Sequence, residues 1–401
     1  MKSKAFSRKS MRWLGMAMLP ALLPAAVHAD ITLNGFASIR GTSVSSDGGL
    51  EPFPGFEEGE LSFNPESLFA LQAQADIGEG LTATIQLFGE GRNDFEVDAR
   101  WAYLSYQLSD SHRLSAGRFA NPIFHQSEYE KVGYAHNFSR LPKAVYIDFE
   151  FSTIEGIALD SQYNIGDYNL STKVLFGGWS GEAFSAVTNN FVDFGMDNII
   201  SANAVFAADW WKVFGGVFGA EIDGASIDSS TVFPLAAAGI NAARNTGATA
   251  AQIDMFRSRI GWDGKDAFYW FSGFAIDHNN WLLDFEFVDY VVKDSTDAAN
   301  QSWYVALGRR FDNVVVTVHT EDYAQSPDHA FLNGVTHPAL LATGRGINNA
   351  FGQREFDGVG LSVRYDFHPS AALKVDYFSG TDTRAAVGDY KLMSFGIDLV
   401  F

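Results

Sequence analysis

The residues of this 401-residue chain best placed to do chemistry are charges rather than nucleophiles. The stretch NPIFHQSEYEKVGYAHNFSRLPK, 121 to 143, carries Glu128, Glu130, Lys131, Arg140 and Lys143. Acidic and basic side chains facing each other across a narrow aqueous gap of reduced dielectric create a transverse field, which orients dipolar solutes and sorts ions. On an open surface loop the same residues would simply be solvated. A second set, Glu51, Glu57, Glu58 and Glu60 in EPFPGFEEGE at 51 to 60, offers oxygen ligands for divalent cations near lipopolysaccharide phosphates. Its proline and glycine residues argue for a solvated loop instead.

Enzyme chemistry has no familiar signature here. The nine histidines include His28, His125, His136, His278, His319, His329 and His337, and none sits in a G-x-S-x-G or H-E-x-x-H motif. GRGINN at 344 to 349 lacks the strand and helix that would make its glycines a phosphate cradle, so it reads as loop. With no cysteine, neither a disulfide framework nor a thiolate metal site is available. No cofactor or metal is expected, and the chain is not expected to be an enzyme.

The elements that must position these charges begin after a secretory signal peptide. Lys2, Lys4, Arg8, Lys9 and Arg12 precede the short apolar run WLGMAMLPALLPAA, and Ala29 ends a small-residue cleavage site. Residues 1–29 are expected to be removed, leaving 30–401 as one unit. Taking five basic residues off a net charge of −20 leaves −25. Such an acidic protein is not expected to bind nucleic acid, which needs clustered Lys and Arg. No later run reaches the roughly 20 apolar residues of a spanning helix.

Instead, apolar and polar residues alternate in segment after segment. Ile31, Leu33, Ala37 and Ile39 oppose Thr32, Asn34, Ser38 and Arg40, and the chain ends on Met393, Phe395, Ile397, Leu399 and Phe401 with polar or small residues between. A period of two means strands with one apolar face. Sixteen are expected: 31–41, 67–77, 81–91, 96–109, 112–120, 144–164, 168–179, 197–208, 211–222, 266–276, 281–293, 301–311, 314–324, 355–367, 371–383 and 389–401. Tight turns at 78–80, 110–111, 166–167, 209–210, 277–280, 312–313 and 368–370 alternate with longer connections. IDMFRSRIG at 253–261 also alternates, and is assigned to an outer loop or a strand extension so that the count stays even.

The polar face of these strands is too polar to pack as a second core, so one face needs lipid and the other water. The expected fold is therefore all-β, a transmembrane antiparallel β-barrel of about sixteen strands with short periplasmic turns and long extracellular loops. Tyr103, Trp210, Trp211, Trp281, Tyr290, Trp303 and Tyr377 fit interfacial girdles.

At this point the chain resembles the trimeric general porins of Gram-negative outer membranes. ITLNGFASIRG at 31–41 is similar to that family's first strand, and RWAYLSYQLSDSHRLSAGRF at 100–119 to its fourth and fifth. The resemblance implies a homotrimer in the outer membrane, in contact with its lipids and lipopolysaccharide. It also implies a third outer loop, here 121–143, folded into the barrel as the constriction. The terminal Phe395, Ile397, Leu399 and Phe401 resemble the signal read by the barrel-assembly machinery. Arg100 matches a constriction arginine of the family, whereas Arg118 faces either the lumen or a neighbouring subunit. Phe36 and Leu68 stand where some members carry basic residues, which leaves Arg40, Arg92 and Arg140 as possible replacements on the basic wall. The loop GRNDFE at 91–96 is short beside the family's subunit-clasping loop. The implied function is passive diffusion of ions and small hydrophilic solutes, with cation preference expected from Glu128 and Glu130. A channel specific for an organic acid or phosphate and a structural or adhesive barrel are the alternatives.

Overall fold

A computed structural model describes residues 30–48, 56–57, 59–146, 151–185, 187–351, 354–384 and 387–401. The signal-peptide reading of 1–29, and Glu51 and Glu58 of the acidic stretch, lie outside the described residues.

Sixteen long strands form one closed antiparallel sheet among the described residues. They are β1 (Asp30–Ser46), β2 (Leu68–Gly78), β3 (Leu81–Glu90), β4 (Asp98–Ser109), β5 (His112–Ala120), β6 (Thr153–Ile165), β7 (Tyr168–Ser185) and β8 (Asn190–Ala207). The second half comprises β9 (Trp211–Asp223), β10 (Asp266–His278), β11 (Trp281–Val292), β12 (Ala299–Phe311), β13 (Val314–Ser326), β14 (Glu355–His368), β15 (Ala371–Asp382) and β16 (Gly388–Val400). A two-residue bridge, Leu61–Ser62, pairs with β1 as well. Each strand pairs with its sequence neighbour, and β1 closes the cylinder by pairing with β16 from Phe36↔Val400 to Ser46↔Tyr390. Closure leaves no long edge to be satisfied by solvent.

The alternation sorts side chains as the sequence suggests. In β16, Tyr390, Leu392, Ser394 and Asp398 point inward and are buried, while Met393, Phe395 and Ile397 stand exposed on the outer face. The outer face of β1 to β6 carries Ile31, Leu33, Phe69, Leu71, Ile85, Leu104, Leu114 and Ile157, all exposed to whatever solvent surrounds the barrel. An apolar belt of that extent belongs in hydrocarbon. Tyr168, Phe206 and Trp211 cluster on this face near the short turns. Tyr103 and Tyr290 do not join a girdle. They face inward, Tyr103 against Phe119 and Tyr290 donating to Asp297 at 2.9 Å.

All seven expected tight turns lie at one end of the barrel. Asn279 and Asn280 both take φ > 0 (51° and 66°), the conformation whose twist suits a two-residue hairpin. The other end carries the long connections. Three differences from the sequence reading arise there. The expected strand 144–164 starts only at Thr153, because Ala144 and Tyr146 are held inside the barrel by wall carboxylates described below. Residues 253–261 form no strand: Ala250–Ile260 is an α-helix. Thr249 and Gln252 build a reciprocal capping box at its start, and Ile253, Phe256 and Ile260 fall on one helical face and are buried.

That helix packs with α-helices Phe233–Asn245 and Pro338–Phe351 into a lobe with its own apolar core, including Val232, Ile240, Phe256, Phe331 and Leu340. GRGINN at 344–349 is therefore helical rather than loop. Gly239 permits the close helix crossing, since a Cβ there would fall on the Thr343 side chain.

Candidate permeation path

The connection after β5 runs inside the barrel. On one flank its Ile123, Phe124, Phe138, Leu141, Val145 and Tyr146 pack into a buried apolar cluster with wall residues such as Leu175, Ile199, Phe214, Tyr269 and Tyr304. Each such side chain is worth roughly 1.5–3 kcal/mol of burial, which is enough to hold a loop against solvent. His125 stacks on Phe214 with ring centroids 3.7 Å apart.

Polar clamps from the wall fix the loop backbone, which would otherwise enter a confined space with unpaired amides and carbonyls. Glu286 of β11 accepts from the His125 amide at 2.9 Å and from the Tyr146 hydroxyl at 2.5 Å. Glu321 of β13 accepts from the Ala144 amide at 3.3 Å, and Asp376 of β15 from the Ser139 amide at 3.1 Å. Lys374 of β15 donates to the carbonyls of Gly133 (2.6 Å) and Phe138 (2.8 Å). Arg364 of β14 donates to those of Tyr134 (2.7 Å) and His136 (2.8 Å). At its deepest point the Tyr134 hydroxyl donates to the Pro369 carbonyl at 2.8 Å, in the tight turn 368–370. The loop thus traverses the lumen from the long-loop end to the short-turn end.

Its other flank faces water. Glu128 pairs with Lys173 of β7, which also pairs with Asp160 of β6 at 3.3 Å, and Arg113 of β5 reaches Asp160 at 3.3 Å. Glu130 and Glu90 both meet Lys131, at 3.3 and 4.0 Å. Arg100 is the extra residue of a bulge, because Gln86 opposes Trp101 while Leu87 opposes Ala99. Its guanidinium lies 5.1 Å from the centre of the Phe88 ring and feels the charges of Glu130 and Glu90.

Three cavities adjoin the loop, the first two sharing Phe124. A 580 Å³ vestibule contains Arg100, Glu130 and Lys131; a 240 Å³ cavity contains Arg113, Glu128 and Lys173; and a 550 Å³ space at the turn end contains Tyr134, Lys212 and Arg364. A 140 Å³ recess, lined by Arg40, Arg140 and Lys143 among others, shares Glu90, Arg92, Glu130 and Lys131 with the vestibule.

The structure therefore brings Arg40, Arg100, Glu128, Glu130, Arg140 and Lys143 to the lumen. Arg40 is buried and pairs with Asp398 at 3.1 Å, and Arg140 pairs with Glu66 at 2.6 Å. Arg118 is the exception. It pairs across the ladder with Glu155 at 3.1 Å in the outward phase of Leu114 and Ile157, because Gly117 and Phe119 take the inward positions, and it also borders the 580 Å³ vestibule. Phe36 and Leu68 both point inward. Sequence reasoning missed Glu66, Arg113, Lys173, Glu286, Glu321, Arg364, Lys374 and Asp376. Those on strands occupy inward positions of the alternation, which was the available signal.

Burial shapes the loop's titration. It raises the Glu66 carboxyl, but the charge and hydrogen bonds of Arg140 outweigh it and hold the group at about 2. Burial lowers His136 to about 3, with Lys374 adding to the effect, and lowers His125 to about 3. Burial and then Arg354 lower the Lys143 amine to about 7.

No family model matches the chain, and no curated protein matches it in sequence. Solved structures do match. The outer membrane channel DcaP of Acinetobacter baumannii superposes with a TM-score of 0.56 at 12% identity, over 94% of this chain and 99% of that one. An anion-selective porin from Comamonas acidovorans gives 0.54 at 12% identity, over 93% and 100%. OmpF of Salmonella typhi gives 0.54 at 13% identity, over 92% and 97%. At these identities the likeness establishes the fold, which is that of the sixteen-stranded outer-membrane porins and channels.

Proposed function

We propose that the chain is an outer-membrane porin, a water-filled channel through which ions and small hydrophilic solutes diffuse passively. One observation carries this reading: an apolar outer belt encloses a lumen in which a clamped loop leaves a set of cavities bounded by charged side chains. The porin-type fold supports it. Removal of residues 1–29, recognition of Phe395, Ile397, Leu399 and Phe401 by the assembly machinery, and contact with lipopolysaccharide belong to the same reading. A homotrimer does too. The exposed Arg118–Glu155 pair on an otherwise apolar outer face is better placed against another subunit than against acyl chains.

Cation preference finds less support. It rests on Glu128 and Glu130 facing a basic wall thinned at Phe36 and Leu68, yet each glutamate has a lysine partner. Along the path Glu90, Glu96, Asp98, Glu128, Glu130 and Asp160 face Arg92, Arg100, Arg113, Arg118, Lys131 and Lys173. Charges so nearly balanced favour weak ion discrimination in a hydrated pore. Purified protein in a planar bilayer tests the reading: it should give stepwise conductance, with a small reversal potential in a KCl gradient. A folded barrel that passes no current would overturn it.

A further inference from the structure

We propose that the 550 Å³ space at the turn end is a binding site for a small zwitterion of the α-amino acid kind, its carboxylate on Lys212 and its ammonium on Asp284. Lys212 of β9 and Asp284 of β11 stand at one level of the wall. Each is directly opposite Ala275 of β10, so all three side chains point into the lumen. Two strand spacings of about 4.8 Å put the Cα atoms of the charged residues roughly 10 Å apart. Alanine stands on the far side of each as well, Ala207 beside Lys212 and Ala306 beside Asp284. The neighbouring strands therefore supply neither charge with a partner at that level.

The other charges of this space are accounted for. Arg310 pairs with Asp277 at 3.0 Å and Arg364 with Asp366 at 2.8 Å, while Asp209 is exposed in the turn 209–210. Glu286, the next inward residue of β11, is taken up by the His125 amide and the Tyr146 hydroxyl. Lys212 and Asp284, by contrast, make no hydrogen bond or ion pair with another described residue. They face the same space without touching, which costs little in water, where an ion pair adds little stability. The gap between them is thus bounded by one charge of each sign. An anion drawn to Lys212 meets the Asp284 carboxylate, and a cation drawn to Asp284 meets the Lys212 ammonium. A molecule carrying both charges avoids both repulsions. Leu282 and Val315, buried in the same lining, offer an aliphatic side chain an apolar wall. The proposal rests on the channel reading only for how the solute arrives.

Ligand-detected NMR titration of the folded full chain in detergent, at pH 7 and fixed ionic strength, tests the site with L-leucine, isovalerate and isoamylamine in separate arms. The two analogues keep the side chain and lack the ammonium or the carboxylate. Leucine should bind roughly tenfold more tightly than either, the gain from one further charge-assisted contact. Lys212→Asp and Asp284→Lys should each abolish this advantage. The two together exchange the charges, keep one of each sign and should restore it, which a purely structural role for these residues would not do. Equal binding of leucine and its analogues, an advantage that survives in either folded single variant, or a folded double variant without it overturns the site. Stepwise KCl conductance without the leucine preference would overturn the site alone, whereas the preference without conductance would overturn only the channel.

Discussion

Lys374 and Asp398 form an ion pair of 2.8 Å in which both side chains are 1% exposed. The pair joins three structures at one point. Asp398 on the last strand also accepts from Ser38 (2.5 Å) and Arg40 (3.1 Å) of the first strand, while Lys374 holds two loop carbonyls. Barrel closure and loop placement therefore share a group of side chains. A Cβ on Gly133 would lie 2.3 Å from the Asp398 carboxylate, so the loop backbone approaches as closely as glycine permits.

Lys374→Met is predicted to free the 133–138 segment and leave Asp398 with less charge compensation. Breaking a buried pair from one side costs about 3–5 kcal/mol. The variant should unfold at lower denaturant concentration and give larger, noisier single-channel steps. Steps of unaltered size and stability would mean that this lysine does not hold the loop.

The Glu66–Arg140 tie should be insensitive to mild acid. A carboxyl held at about 2, below the roughly 4.3 of an unfolded glutamate, contributes stability that is present above the unfolded value and lost only as pH falls toward 2. Conductance is predicted to stay constant between pH 7 and 5 as far as this contact governs it. Arg140→Gln, which strands the Glu66 carboxylate, should make conductance pH-dependent in that range. Equal pH profiles for the two proteins would contradict this assignment.

Lys143 points to a second pH effect, at higher pH. Arg354 and Arg384 oppose its charge, while Glu321 and Asp382 favour it, and burial tips the balance so that the amine titrates at about 7. It is charged at pH 6 and largely neutral at pH 8.5. The reversal potential in a KCl gradient should accordingly move toward the cation side as pH rises across this window, and Lys143→Met should remove most of the movement. A shift that persists in full in the variant would assign it to another group.

The terminal aromatic makes a contact of its own. Gly35 and Phe401 exchange backbone hydrogen bonds of 2.7 and 3.0 Å, and the Phe401 ring covers the position where a Cβ at 35 would stand. Deleting Phe401 is predicted to lower the yield of folded barrel in the membrane, and Gly35→Val should lower it too by displacing the ring. Full yield from both would show the contact to be incidental.

Much of this architecture was legible because lipid outside and water inside force a period of two, which the strands from Asp30–Ser46 to Gly388–Val400 display. Phase at irregular places was harder to read. Arg118 follows Gly117, whose φ of +135° bends the strand, and only the ladder pairing with Glu155 shows that it faces outward. Lys374 and Arg364 read as ordinary inward polar residues, since nothing local tells that the carbonyls they bind lie some 230 residues away. IDMFRSRI satisfies both a two-residue and a helical period, and the capping box at Thr249 and Gln252, the cue for a helix start, went unread.

The account's central claim is that water and solutes pass between the loop and the wall at Glu130. The chain has no cysteine, so Glu130→Cys provides a single reactive thiol. Its modification by a bulky charged methanethiosulfonate reagent during bilayer recording measures the claim directly. The account predicts a stepwise fall in single-channel conductance as each thiol reacts. Complete modification, verified by mass, with no change in conductance would contradict it.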